Sequence, residues 1–408
     1  MRRRAQLTFL AFALVSGLAM PRLSAANLSV ESLELVTYGA LDPSTGLFPV
    51  NSRLNFQLEL GGGEKFAGLL RLDFLSTQVE SDLSDLKKTL SYDLANPSTW
   101  DGVQRTDLLS RINAPGLRLK TVAVTAKRIL GLPLEAAYFV GYLDTFCSGD
   151  DFVTLFGAAP FATELRGPLR YPTGIKSNPT VSWDGIHAVY GTGLRLSYVL
   201  TDRSRVYAYA YQDSDLGDGK GKWSGDARGL FDLGELKVEA FGGASFDSSY
   251  SLGLYRGGLL FYVSPGDIGE FYAQVGIPQW NPNETFSVND IFFLFEPRVV
   301  FEGGSQLALS LFYHPAKYRQ KATGEGGSMD VGFNLRFGRL SLSGSQGGIE
   351  SFLAFRQFDP VLTAEVSPYY EVILSGVAWS FKLGLQLFPL PSIWYGVFKP
   401  FIGVKTSF

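Results

Sequence analysis

Apolar and polar residues alternate one by one along much of this chain, and this period of two limits its fold more than any other feature. Successive side chains of a β-strand point to opposite faces, whereas a helix repeats its apolar positions at intervals of three and four. In the two clearest segments the apolar residues are Leu54, Phe56, Leu58 and Leu60, then Val331, Phe333, Leu335 and Phe337. The pattern predicts β-strands with one apolar and one polar face.

Eighteen strands follow from this alternation and from the turn residues between the segments. They are predicted at 28–37, 52–60, 65–76, 117–127, 134–146, 186–199, 204–211, 223–232, 236–246, 252–263, 268–277, 288–301, 305–314, 329–337, 339–346, 352–366, 371–387 and 395–408. The least regular are 28–37, 339–346 and the segment interrupted by Asp359-Pro360. Sixteen strands is therefore the alternative count.

The connections between these strands alternate in length. The short ones are 61–64, 128–133, 200–203, 233–235, 264–267, 302–304, 338 and 367–370. The long ones are 38–51, 77–116, 147–185, 212–222, 247–251, 278–287, 315–328, 347–351 and 388–394. This rhythm predicts an up-and-down sheet with short turns at one end, where both termini lie, and longer loops at the other.

The first 26 residues differ from the rest of the chain. Arg2, Arg3 and Arg4 precede an apolar run from Leu7 to Leu18, and small residues follow at 24–26. This is the pattern of a secretory signal peptide, expected to be cleaved before residue 27. A retained anchor helix is the alternative, but the run is shorter than the roughly 20 residues that span a bilayer.

The remainder of the chain suits a membrane barrel and excludes several other classes. No later stretch approaches about 18 consecutive apolar residues, which argues against a helical membrane protein. The net charge of −3 gives no basic footprint for nucleic acid, and the single cysteine has no disulfide partner. Because hydrocarbon does not tolerate sheet edges, residues 27–408 are expected to form an all-β, transmembrane antiparallel up-and-down β-barrel.

The end of the chain carries a family resemblance. Large apolar residues share one parity and polar residues the other; these are Trp394, Phe398, Ile402, Val404 and Phe408, against Lys399, Lys405 and Ser407. This resembles the last strand of bacterial outer-membrane barrels, which ends in a Phe that their assembly machinery reads. The length and loop plan look most like the porins of sixteen or eighteen strands. The resemblance implies an outer-membrane location, contact with outer-membrane lipids, Phe408 as assembly signal, and a homotrimer by family analogy.

In those porins the third outer loop folds into the lumen and narrows it. The corresponding connection here is 147–185. It carries charges of both signs, and the constriction candidates are Asp150, Asp151, Glu164, Arg166, Arg170 and Lys176. Opposed charges across a narrow zone would orient polar solutes, and a plain surface loop is the alternative.

The polar parity of the strands is expected to face the lumen. The lumen-wall candidates are Arg53, Glu59, Arg71, Asp73, Arg118, Lys120, Arg195 and Arg336, and further charges such as Glu239 and Lys382 share this parity. Both signs are interleaved, so no strong cation or anion preference follows. Most of these residues are expected to be ordinary solvated wall charges.

Aromatic residues admit two interpretations. Tyr207, Tyr209 and Tyr211 share one face of a strand. A girdle at the membrane interface is the favoured interpretation, and a lumen track for sugars is the alternative. Only two histidines, His187 and His314, could act as a catalytic base, and no nucleophile-elbow or metalloprotease motif accompanies them.

Together these features predict a non-enzymatic porin without cofactor or metal, through which small polar solutes diffuse passively. A substrate-selective transporter for a sugar or a hydrophobic compound is the first alternative. A barrel-borne adhesin whose long loops act outside is the second.

Overall fold

The computed structural model describes residues 27–39, 46, 50–62, 64–76, 117–147, 152, 155–157, 185–213, 222–246, 253–265, 269–314, 328–340, 344–356 and 362–407. The predicted signal peptide, the connection 77–116 and Phe408 lie outside these residues. Most of the connection 147–185 lies outside them as well.

The described residues form eighteen β-strands in one sheet. They are β1 (Asn27–Gly39), β2 (Val50–Gly62), β3 (Phe66–Ser76), β4 (Leu117–Ala126), β5 (Leu134–Phe146), β6 (His187–Thr201), β7 (Ser204–Asp213), β8 (Trp223–Leu233), β9 (Leu236–Phe246), β10 (Leu254–Val263), β11 (Gly269–Trp280), β12 (Phe292–Val300), β13 (Gln306–His314), β14 (Ser328–Phe337), β15 (Ser345–Arg356), β16 (Thr363–Leu374), β17 (Val377–Phe388) and β18 (Phe398–Ser407). Short 3-10 turns occur at Ile129–Gly131, Val288–Asp290, Glu302–Gly304 and Trp394–Val397. Among the described residues, no helix is long and apolar enough to cross a membrane.

Every strand pairs antiparallel with its neighbours in the chain, and the first strand also pairs with the last. In that closing pair Glu34 lies opposite Lys405 and Leu35 lies opposite Val404. The sheet therefore closes on itself, and each strand has a hydrogen-bonded neighbour on both sides. This confirms the predicted up-and-down barrel and its count of eighteen, and the alternative of sixteen is wrong.

The C-terminal third of the prediction is shifted along the chain. Of the described residues in the segment 339–346, predicted as a strand, only Ser345 and Gln346 belong to a strand, and the predicted loop 347–351 lies inside β15. The predicted strand 352–366 runs across the real connection between β15 and β16. The predicted turn 367–370 lies inside β16, and the real turn is at 375–376. Because the errors offset one another, the strand count survives, but the connections on the two sides of β15 are of nearly equal length.

Glycine explains part of this error. Gly347 and Gly348 suggested a turn, but they pair with Tyr370 and Tyr369 across β15 and β16. A Cβ on Gly348 would lie 2.7 Å from the Tyr369 hydroxyl and too close to the carbonyl oxygen of Leu335. Gly348 therefore makes room for a tyrosine in the sheet.

The two faces of the sheet differ in chemistry. On β6, Leu194 and Leu196 point outward and are 52% and 47% exposed, while Ser197 points inward and is buried. Outward aromatic pairs include Tyr142 and Tyr190, whose rings stack at 4.0 Å between centroids. An apolar outer face with aromatic residues matches the lipid-facing band of outer-membrane barrels.

Candidate functional site

Ion pairs line the inner wall of β8 to β12. Arg228 Nε lies 2.7 Å from Glu239 Oε1, and neither side chain is exposed. On β11 and β12, Arg298 contacts Glu296 at 2.7 Å and Glu270 at 3.1 Å. Inward charges on the same strand or on adjacent strands thus form pairs of opposite sign within hydrogen-bond distance.

A second polar cluster lies nearer the end of the barrel where the long connections are. Arg256 donates to both carboxylate oxygens of Asp226, at 2.7 and 2.8 Å, and Tyr211 donates to the same carboxylate at 2.9 Å. His187 Nε2 lies 3.1 Å from the Tyr211 hydroxyl and 3.5 Å from Asp226. These groups link β6, β7, β8 and β10 across the inner face.

The opposite part of the wall repeats the same chemistry. Lys382 Nζ lies 2.9 Å from Glu350, which also accepts a hydrogen bond of 3.0 Å from Asn334. Lys399 of β18 pairs with Glu365 of β16. The described inner wall therefore carries both signs of charge on β14 to β18 as well as on β6 to β12.

Burial of these charges corrects the expectation of solvated wall charges. Arg228, Glu239, Glu296 and Lys382 are 2%, 0%, 0% and 5% exposed. A charge that leaves water is tolerated only when it is paired and hydrogen-bonded. Sequence parity shows which face a charge occupies, but it does not show that adjacent strands bring its partner into register.

The predicted lumen-wall residues fall into two groups. Arg195 and Arg336 point inward, and Arg195 pairs with Asp144 at 3.0 Å. Arg71 is half-buried on β3, and Lys120 is half-buried at a β-bulge of β4. The side chains of Arg53, Glu59, Asp73 and Arg118 lie outside the described part of the chain. A role in permeation stays a prediction for all of them.

The connection after β5 begins and ends inside the barrel. Phe146, Cys147, Phe152 and Ile186 are 0–1% exposed and belong to one apolar cluster with inward residues of β5 to β13. Burial raises the pKa of the Cys147 thiol well above its usual range, and the nearby Glu239 carboxylate raises it further. The predicted constriction residues Asp150, Asp151, Glu164, Arg166, Arg170 and Lys176 lie outside the described residues.

The tyrosines of β7 correct a second expectation. Tyr207, Tyr209 and Tyr211 point into the barrel and are 8%, 4% and 0% exposed, so the girdle interpretation is wrong for them. Ala208 and Ala210 occupy the outer face instead. The signal was present in the sequence, because Asp213 shares the parity of the tyrosines and lipid-facing positions seldom carry a carboxylate.

His187 lies in a buried environment formed by aromatic and polar side chains. Its ring packs against Phe146 and Phe241, at 5.4 and 6.4 Å between centroids, and the residue is 4% exposed. Within the described ranges, no group of three His, Cys, Asp or Glu side chains could hold a metal ion. His187 thus serves as a bonded member of the buried wall network.

Comparison with known proteins returned structural neighbours only. No protein-family model matches the chain, and no curated protein matches it. A triple mutant of Rhodopseudomonas blastica porin is 11% identical with a TM-score of 0.46, covering 94% of this chain and 100% of that chain. A double mutant of the Rh. blastica porin has the same identity and coverage with a TM-score of 0.47. A structure titled "Asymmetric conductivity of engineered proteins" is 10% identical, with a TM-score of 0.46 and the same coverage.

The class of protein follows from the sheet itself. A closed antiparallel sheet of eighteen strands, apolar outside and charged inside, is a β-barrel of the bacterial outer-membrane type. Its strand number places it with the large barrels. The fold is accordingly porin-like.

Proposed function

We propose that this protein is an outer-membrane channel through which small polar solutes diffuse passively. The observation that carries this proposal is the closed eighteen-stranded sheet with a polar inner wall. Barrels of sixteen to eighteen strands are too wide for their own wall side chains to fill, and a polar lumen of that width holds water.

The charges of the wall indicate weak ion selectivity. Channels discriminate strongly when a ring of one sign lines their narrowest zone. Here several buried cations of the described wall have a carboxylate partner on a nearby strand, as in Arg228 with Glu239 and Lys382 with Glu350. Fine selectivity is then assigned to the connection 147–185, with Asp150, Asp151 and Glu164 opposing Arg166, Arg170 and Lys176 across the passage.

Swelling of liposomes tests the channel directly. Vesicles containing the folded protein should swell in uncharged solutes at rates that fall steeply with solute size and rise in proportion to solute concentration. Vesicles that received heat-unfolded protein serve as the control. An absence of swelling for every solute small enough to enter a porin would contradict the proposal.

A selective transporter is the second candidate, because the barrel interior also contains apolar side chains. Phe152, Tyr262, Tyr272, Phe292 and Phe312 belong to the buried cluster on the inner wall of β10 to β13. These side chains are buried against one another, so a hydrophobic compound or a sugar face would bind here only where part of the cluster moved aside. Saturation of uptake for one such compound, with slow swelling in others of equal size, would favour this candidate.

Location and assembly belong to the same proposal. Residues 1–26 are proposed to direct export and to be cleaved, and residues 27–408 to form the barrel in the outer membrane among its lipids. Phe408 is proposed as the signal for the barrel assembly machinery. A homotrimer is the proposed assembly, and no enzymatic step, metal or cofactor is assigned.

A further inference from the structure

We propose that β9, β10 and β11 hold the start and end of the β5–β6 connection as a permanent lining of the barrel, and that Glu239 and Gln274 are the positioning residues. This inference rests on the proposed channel, because it makes these wall residues determinants of the channel's size limit. The attachment is formed by described residues near the two ends of the connection, within 147, 152, 155–157 and 185–186.

The polar contact is a clasp on the backbone of Cys147. Its N–H donates to Glu239 Oε1 at 2.7 Å, and its carbonyl oxygen accepts from the Gln274 side-chain amide. Arg228 donates to the same oxygen of Glu239 at 2.7 Å. Both backbone groups of one loop residue are thus satisfied by side chains of β9 and β11.

The apolar contact is a seat built from two glycines. Gly258 and Gly276 lie opposite each other on β10 and β11. A Cβ would lie 3.2 Å from Ile186 Cδ1 at Gly258, and 2.7 Å from the same atom at Gly276. A side chain at Gly276 would collide with Ile186, and one at Gly258 would crowd Ile186 and collide with Phe241, so the wall is recessed where the end of the connection packs.

An aromatic contact completes the attachment. The Phe152 ring meets Tyr262 and Tyr272 edge-on, at 6.4 and 6.2 Å between centroids, and Phe156 at 4.7 Å. The Ile186 N–H donates to the carbonyl of Phe146 at 3.0 Å, which joins the two ends of the connection. Polar, aliphatic and aromatic contacts therefore fix these ends independently.

The buried charge explains why the attachment is permanent. Glu239 and Arg228 are buried, and moving the connection away would remove a donor from a carboxylate that is already out of water. It would also uncover Phe152 and Ile186. Both losses oppose detachment, so the described ends of the connection stay fixed to the wall.

Cys147 reports on the clasp without requiring transport. It is the only cysteine of the chain and is fully buried, so a maleimide should label it in the native barrel only when the connection leaves the wall. We expect Glu239→Ala and the double variant Glu239→Ala/Gln274→Ala to be labelled roughly tenfold faster than the natural sequence or more, since a hydrogen bond to a charged group is lost. Glu239→Gln keeps an acceptor for the Cys147 N–H and should restore most of the protection.

Glu350→Ala is the matched control. It removes a buried carboxylate from an ion pair with Lys382 on a part of the wall that does not contact Cys147. Its labelling rate should equal that of the natural sequence. If the double variant is labelled no faster than Glu350→Ala in barrels that keep their folded mobility in gels, the clasp does not exist.

A second variant tests the attachment even if the Glu239 variants fail to fold. Ile186→Ala empties the glycine seat without exposing a charge, and it too should speed the labelling of Cys147. Unchanged labelling would contradict the seat.

Single-channel recordings of variants with faster labelling should show noisier current and entry of larger polymers. If labelling changes but no form conducts, the clasp stands and the proposed channel fails. If labelling changes while the size limit does not, Glu239 holds the loop without setting permeation.

Discussion

At the scale of single residues, glycines set the inner shape of the wall. Gly243 on β9 lies opposite Asp226, and a Cβ there would sit 2.7 Å from the carbonyl oxygen of Gly225 and too close to the Asp226 carboxylate. Gly225 differs, because its Cβ would meet only the carbonyl oxygen of Tyr209 at 3.7 Å, an ordinary contact. Glycine is therefore required at position 243, whereas position 225 has room for a larger side chain.

We expect Gly243→Ala to lower the free energy of unfolding by about 1–3 kcal/mol, the usual cost of forcing extra atoms into a packed site. Gly225→Ala should change it by less than about 0.5 kcal/mol, as surface substitutions do. Denaturant unfolding in detergent, followed by tryptophan fluorescence, measures both. Equal losses in the two variants would contradict the role given to Gly243.

At the scale of the strand, β6 shows how the chain meets lipid. Leu194 lies near its middle and Leu200 near the turn to β7, and both point outward with exposures of 52% and 50%. Their burial is the same, so only their depth in the membrane separates them. A charge should cost most where hydrocarbon is thickest.

Leu194→Arg should therefore destabilise the barrel by about 2–4 kcal/mol, and Leu200→Arg by about 0–1 kcal/mol. Reversible unfolding from lipid vesicles measures the difference. Similar costs at both positions would show that this face of β6 does not contact the bilayer core.

At the scale of the whole molecule, charge pairing determines what the barrel can select. Several buried cations of the described wall pair with carboxylates, as Arg228 does with Glu239, and the acids of the connection 147–185 are the proposed source of any cation preference. Neutralising Asp150, Asp151 and Glu164 together to their amides should shift the reversal potential toward anions in a salt gradient. Asp202→Asn, in the exposed turn between β6 and β7, should leave it unchanged. An unshifted reversal potential in the triple variant would remove the constriction role from these residues.

Strand number and direction were predictable because they depend on local chemistry. A period of two, with short and long connections in turn, gave eighteen strands, and the structure closes them between β1 and β18. The shifted segment from 339 to 387 shows the limit of this reasoning. Glycine and proline mark turns on average, but Gly348 and Pro368 lie within paired strands because a neighbouring strand sets their environment.

The sequence by itself determined the fold class, the parity of most strands and the inward side of Arg195, Arg336 and Glu239, because alternation is a property of consecutive residues. Only the tertiary structure decided which charges pair and that Glu239 and Gln274 bind the backbone of Cys147, whereas the inward side of Tyr207, Tyr209 and Tyr211 could have been inferred from their shared parity with Asp213. The clasp joins residues 92 and 127 positions apart in the chain. Such contacts depend on the register of strands around a closed barrel, and no local pattern of side chains encodes that register.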